Sequence, residues 1–286
     1  MEQLLELNGV CKNYPSFSLR DVSFSVPAGC IMGLIGENGA GKSTTIRLIL
    51  NEMKRDAGEI RIFGKDNLQH EIEVKEEIGV VLDPNCFPED FTAKDVNLIL
   101  KRIYKSWDKD LFYQYLQDFS LPEKKRIKDY STGMRMKLNI AAALAHRPRL
   151  LLLDEATSGL DPVMRSDILD LLLDFIQDEH CGILFSSHIT SDLERVADYI
   201  TFLHEGRIVF SLAKDEMQDH MGILKCGPSQ FEKLNPSDFL RMRRGTFECA
   251  ALAADRAAVQ KKYPNMVVDA ATLDEIMLLY VKGDAL

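Results

Sequence analysis

No stretch of the sequence approaches ~20 consecutive apolar residues, the length a helix needs to cross a bilayer, so the chain has no membrane-spanning helix of its own. The opening segment Met1-Glu2-Gln3-Leu4-Leu5-Glu6 lacks the basic start and apolar run of a secretory signal, which predicts a protein that stays in the cytosol. An excess of basic residues is missing too. The net charge is −9, which argues against bulk nucleic-acid binding, since that normally needs a basic face. No Cys-x-x-Cys pair occurs. The six cysteines, Cys11, Cys30, Cys86, Cys181, Cys226 and Cys249, are scattered and read as reduced, mostly buried thiols rather than metal ligands or disulfides. There is no internal repeat, low-complexity tract or heptad array. What remains, 286 residues of which 46% are hydrophobic, is enough for one large domain, or one domain plus an appendage, around a real core.

Short apolar runs broken by turn residues fill the first third. Val22-Ser23-Phe24-Ser25-Val26 alternates with period two, and Ile31 to Ile35, Ile60 to Phe63 and Ile78 to Leu82 read as further strands. From Thr92 to about Gln117 the pattern is helical, with Val96, Ile99, Leu100 and Ile103 at helix spacing. A helix over Thr132–Ala145 takes Ser131 as N-cap. Leu150 to Leu153 is a buried strand, Asp161-Pro162 opens the next helix, and Ile183 to Ser187 is one more strand. Ile200 to Leu203 and Arg207 to Phe210 predict a hairpin. After about Ala213 the texture changes to short apolar runs among Gly227-Pro228, Asn235-Pro236 and Tyr263-Pro264-Asn265 turns, read as a small appended domain of mixed helix and strand.

Within this frame the chemistry concentrates at a few points. Gly36-Glu37-Asn38-Gly39-Ala40-Gly41-Lys42-Ser43 fits the phosphate-loop pattern, between a buried strand and a helix starting near Thr44. Such a strand–loop–helix aims backbone N–H groups at phosphates, Lys42 adds a point charge, and the Ser43 hydroxyl is placed for Mg²⁺. About 110 residues later four leucines end at Asp154-Glu155. Carboxylates at the carboxyl edge of a buried strand sit where α/β sheets bind ligands. Asp154 suits Mg²⁺, and Glu155 suits a base that polarises water for attack on a γ-phosphate.

Phosphate loop, Tyr130-Ser131-Thr132-Gly133-Met134, Leu150 to Glu155, Ser158-Gly159-Leu160-Asp161 and Ser187-His188 occur in the order of the ATP-binding cassette of an ABC transporter, which residues 1 to 215 resemble. The resemblance implies a P-loop NTPase α/β core with an antiparallel β subdomain, a helical subdomain at about 85–145, and a small α+β extension, with domains at 1–213 and 214–286. It implies ATP and Mg²⁺ as ligands, with Asn38, Gly39, Ala40, Gly41, Lys42, Ser43 and Thr44 around the phosphates. Tyr14, or Phe17 if the loop is offset, stacks on adenine. His188 is similar to the family's switch histidine, which contacts the γ-phosphate and orients the water with Glu155. Ser131 and Gly133 resemble the signature motif, and Asp161 the loop aspartate, that reach the opposite subunit of a dimer. Thr132 and Met134 depart from the usual Gly and Gln there, and Ser131 and Asp161 also read as plain helix caps. A second departure is Asp83, where the family carries a glutamine near Mg²⁺ and the attacking water. An aspartate is shorter and anionic, cannot donate a hydrogen bond unless protonated, and is expected at the metal with slower turnover or altered metal dependence.

The resemblance further implies a head-to-tail dimer, either a homodimer or a heterodimer with a related cassette, driving a separate transmembrane permease from the inner face of the membrane, with no covalent membrane anchor and no nucleic acid. The signature variant and the tail around Thr272-Leu273-Asp274-Glu275-Ile276 resemble exporters of antibiotics, peptides or lipids. The tail is left open between stabilising the dimer, regulating it and binding a partner. The rival reading is a stand-alone cassette ATPase without a permease. Translation types carry two cassettes per chain, and chromosome types insert a long coiled coil for which about 110 heptad-free residues leave no room.

Overall fold

The structure, a computed structural model, describes residues 2–82 and 85–285, the last two without their side chains. The chain divides into two compact units, 1–211 and 212–286. The first runs through β1 (Gln3–Asn13), β2 (Ser18–Pro27), β3 (Cys30–Ile35), α1 (Lys42–Ile49), β4 (Ala57–Ile62), β5 (Lys65–Asp66), α2 (Glu71–Glu76) and β6 (Ile78–Val81). The helices α3 (Ala93–Ile103), α4 (Lys109–Asp118) and α5 (Thr132–Leu144) come next. Then follow β7 (Leu150–Asp154), α6 (Pro162–Phe175), β8 (Gly182–Ser187), α7 (Thr190–Val196), β9 (Tyr199–His204) and β10 (Arg207–Ala213).

Two sheets serve this unit. β2-β1-β4-β5 is antiparallel. β2 keeps Val22, Phe24 and Val26 buried while Asp21 and Ser23 are exposed, as a strand with one wet face should. The second sheet has the order β10-β9-β3-β8-β7-β6, and β9 through β6 run parallel. Its central strands are apolar along nearly their whole length because both faces are covered. Met32, Leu34, Leu150, Leu152 and Leu184 join Ile46, Leu48 and Ile49 of α1 and the antiparallel sheet in one core. Alternation sends Leu151, Leu153, Ile183 and Phe185, all fully buried, to the opposite face. This register aligns Ile35 with Ser187, and Asp154 with Ser186, so β3, β7 and β8 end side by side.

The expected helix from Thr92 to Gln117 is two helices. Tyr104 leaves the helical region at φ −94°, ψ 126°, and Asp108 starts α4 as N-cap, accepting from Leu111 N at 2.9 Å. The predicted apolar stripe is also only half right. Val96 is buried and Leu100 packs on the core beside it, but Ile99 and Ile103 are exposed with Leu98. Asn97 takes a buried position instead, accepting from Trp107 Nε1 at 3.0 Å.

The second unit holds α8 (Lys214–His220), β11 (Gly222–Cys226), α9 (Pro228–Phe231), β12 (Arg241–Arg243), β13 (Cys249–Ala253), α10 (Arg256–Lys262), β14 (Val268–Ala270), α11 (Leu273–Lys282) and β15 (Asp284–Ala285). Its sheet, β14-β11-β13-β12-β15, is antiparallel. From β11 to β14 the succession strand–helix–strand–strand–helix–strand is a split β-α-β arrangement. Leu224, Cys226, Met242, Ala251 and Val268 make a core with Val259 of α10. α11 packs on β12 and β13, burying Leu273, Ile276 and Leu279.

Candidate functional site

The chain leaves β3 at Ile35, loops, and enters α1 at Lys42. Gly39 and Gly41 take left-handed φ of 86° and 114°, which a side chain would resist, and a Cβ on Gly39 would meet no atom within 4 Å. The loop is therefore an open cradle on that side. α1 has no side-chain cap and no acidic residue in its first turn, so its positive end is not neutralised locally. Lys42 is 5% exposed and folds back over the loop, donating to Gly36 O at 2.7 Å and Glu37 O at 3.3 Å. Ala40 is buried, with its N–H on Glu37 O and its carbonyl accepting from Gly206 N. Thr45 Oγ1 donates to Gly41 O at 2.9 Å.

A cavity of about 690 Å³ opens here. Asn38, Gly39, Lys42, Ser43 and Thr44 line one side, Tyr14 and Phe17 another, and Glu155 reaches in. The Tyr14 and Phe17 rings are 6.5 Å apart at 27°. The Tyr14 hydroxyl lies 3.0 Å from Met53 Sδ.

Glu155 follows β7 with φ 53°, a left-handed conformation that is costly for a side chain of this size. Its N–H donates to Ser186 O at 2.9 Å, so the neighbouring strand holds the turn. One carboxylate oxygen is 3.4 Å from Lys42 Nζ and the other 2.5 Å from His188 Nδ1. Asp154 ends β7 and accepts from the Ser186 hydroxyl at 2.5 Å. Thus Lys42, Asp154, Glu155 and His188, from three separate sequence segments, meet at the ends of β3, β7 and β8.

Ser131, Gly133 and Asp161 are not among the residues lining this cavity. Ser131 caps α5 through Met134 N at 3.2 Å, and Asp161 caps α6 through Val163 N and Met164 N, both at 3.1 Å. A Cβ on Gly133 would lie 2.1 Å from the Met164 methyl, so glycine lets the starts of α5 and α6 touch. Asp83 lies outside the described residues.

Sequence reading missed Asp192. It is 2% exposed on α7, accepts from Thr157 Oγ1 at 2.7 Å and pairs with Arg165 of α6. It ties the segment between Glu155 and Asp161 to the element that follows His188. No motif spacing marks it, because its partners are 35 and 27 residues away. His204, assigned no role from sequence, lies 3.3 Å from Glu37 of the phosphate loop. The cysteines are all free thiols; burial pushes Cys181 up to about 11.

The residues fit a nucleoside triphosphate: an open glycine cradle, a buried cation beside it, a helix N-terminus and two aromatic rings in one cavity. Among the described residues no cluster of three or more His, Cys, Asp or Glu could hold a metal unaided. A nucleotide-bound Mg²⁺ takes most ligands from phosphate and water, with one or two from protein, and Ser43 and Asp154 fit that role. No described helix is long and apolar enough to cross a membrane.

Comparison with known proteins agrees. Residues 19–158 match the ABC transporter family. The ABC transporter ATP-binding protein YtrB of Bacillus subtilis is 35% identical over 201 residues, covering 70% of this chain and 68% of YtrB. The bacitracin transport ATP-binding protein BcrA of Bacillus licheniformis is 33% identical over 76% of this chain and 72% of its own length. The daunorubicin/doxorubicin resistance ATP-binding protein DrrA of Streptomyces peucetius is 31% identical over 76% and 68%. A solved ATP-binding subunit of an ABC transporter superposes with TM-score 0.69 at 28% identity, covering 75% of this chain and 92% of that one. The chain belongs to the ABC transporter family, as an ATP-binding subunit whose ATP hydrolysis is coupled to transport.

Proposed function

We propose that this subunit powers export of an antibiotic, peptide or lipid-like compound through a separate transmembrane permease, working as a dimer on the cytoplasmic face of the membrane. The observation that carries the catalytic half is Glu155, held between Lys42 and His188 at the mouth of the phosphate loop. Glu155 takes a proton from the attacking water, and His188 holds its carboxylate in place. Lys42 balances charge at the outer phosphates, with the backbone of residues 38–44 around them and Tyr14 against the base. Ser43 and Asp154 would hold Mg²⁺, which would supply charge neutralisation at the phosphates; the family resemblance assigns Asp83 to the same ion.

The dimer reading rests on position. Ser131, Gly133 and Asp161 gather at two adjoining helix starts outside the lining of their own cavity, a placement suited to a γ-phosphate on another subunit. The permease reading is supported by Leu98, Ile99 and Ile103, exposed apolar residues on α3 that suit burial against a partner. The export reading follows the names of BcrA and DrrA.

The test is size analysis of Glu155→Gln with and without ATP, Mg²⁺ withheld. The variant is expected to bind ATP, shift from monomer to dimer only with ATP, and lose roughly 10²–10⁴-fold in turnover with Mg²⁺. Hydrolysis at the parental rate would remove Glu155 as the base. ATP binding without dimerisation would mean that a second cassette or the permease must bring the halves together. Failure of any membrane subunit to co-purify would favour a stand-alone ATPase.

A further inference from the structure

The second unit carries a cavity that the ATP site does not explain. On the α11 side of its sheet Ile223, Lys225, Arg243 and Ala250 line a cleft of about 420 Å³, bounded by Leu278 of α11 and by the loop that carries Phe247. That volume falls near the lower end of the range for pockets that take small organic molecules, roughly 300–1,000 Å³. It is too small for a helix or a folded partner.

Charge decides the class of ligand. Lys225 Nζ lies 2.6 Å from Glu275 Oε1, and Glu275 Oε2 accepts from the Thr272 N–H and hydroxyl, both at 3.0 Å. Those two side chains satisfy one another within the fold. Glu248 also lines the cleft, but it is exposed to solvent, where water screens its charge. Arg243 differs: it is half-buried on β12 and makes no side-chain hydrogen bond or ion pair among the described residues. A partly desolvated guanidinium without a carboxylate is costly, and its planar fork matches a carboxylate bidentately. Next to it the cleft is apolar, and Phe247, 91% exposed, stands in its wall with nothing covering the ring.

We propose that this cleft binds a small amphipathic carboxylate, its head group paired with Arg243 and its apolar part between Phe247, Leu278 and Ile223. The unpaired, half-buried cation, rather than the solvent-screened Glu248, sets the sign of the ligand, and the exposed ring and leucine set its apolar character. Lys225 and Glu275 form a neutral floor that favours neither sign.

Calorimetric titration of the full chain, with ADP present to fill the nucleotide site, tests this using decanoate and decylamine as probes. Decanoate is expected to bind once per chain and decylamine not to bind. Arg243→Gln should weaken decanoate binding about 10-fold or more, the worth of one charge-assisted hydrogen bond. The surface variant Phe247→Ala should weaken it several-fold. ADP affinity should be unchanged in both, and a parental far-UV circular dichroism spectrum and thermal unfolding profile show that the second unit is folded in each variant. Equal binding of the acid and the amine, or decanoate binding unaltered in both variants, would overturn the proposal. So would nucleotide-free self-association that Phe247→Ala abolishes in a chain that does not bind decanoate, since the cleft would then serve a second copy.

Discussion

Asp192 ties together the segment that follows Glu155 and the helices α6 and α7. A buried carboxylate persists only where it is paired and hydrogen-bonded, and here Thr157 and Arg165 satisfy it from two different elements. Removing it leaves the Arg165 guanidinium without its carboxylate, holding only the Ser191 hydroxyl, and the Thr157 hydroxyl without a partner. Asp192→Ala is therefore expected to destabilise the protein by about 3 kcal/mol in denaturant titration. Turnover should fall as well, while ATP affinity holds, because the phosphate loop is built on β3 and α1. A stability change within error of the parent would show that the contact is incidental. Asp192 was illegible in the sequence for a physical reason: its partners are assembled by packing of α6 and α7, and no local spacing encodes that. Lys42 was legible from the glycine pattern that leads into α1, and Asp154, Glu155 and His188 from the apolar strands that they end or follow.

At the scale of elements, capping was the most readable signal. Ser131 and Asp161 start α5 and α6 as their residue types predict. The break between α3 and α4 was not readable, since Tyr104 to Asp108 contains no glycine or proline and the apolar spacing continues through it. A strand–helix tie nearby makes a pH prediction. His146, just past α5, is 2% exposed, lies with Nε2 3.0 Å from Ile78 O at the start of β6, and stacks on Tyr104 at 4.0 Å. Burial holds its pKa below the usual histidine value, outweighing the carbonyls of Ile78 and Ala142 and the charge of Glu76, which act the other way. Below about pH 6.5 the unfolded chain binds this proton more readily than the folded one, so stability falls as pH drops through that window and is recovered above it. His146→Phe keeps a ring against Tyr104 and removes the titration. Its unfolding free energy should fall less steeply between pH 7 and pH 5 than the parent's, as urea titrations at several pH values would reveal. Parallel slopes would mean that other groups carry the acid sensitivity.

Over the whole molecule the two units differ in how they were encoded. The first has long apolar strands and motif-bearing loops, so its class could be read directly. The second builds its sheet from strands as short as Arg241–Arg243 and Val268–Ala270, too brief for a two-residue alternation to register. Each unit nevertheless closes its own apolar core: Leu224, Met242, Ala251 and Val268 cluster with one another, and the nucleotide side rests on Met32, Leu34, Leu152 and Leu184. Every residue lining the nucleotide cavity lies between 14 and 155. A chain ending at Ala213 should therefore fold and bind ATP with affinity close to the full protein's, measured by titration with a fluorescent nucleotide, and should keep a cooperative thermal transition. If truncation abolishes binding or cooperativity, the last 73 residues are part of the fold of the ATPase. If binding survives but turnover changes, those residues act on the catalytic cycle without building the site, and the cleft beside Arg243 is the first place to look for how.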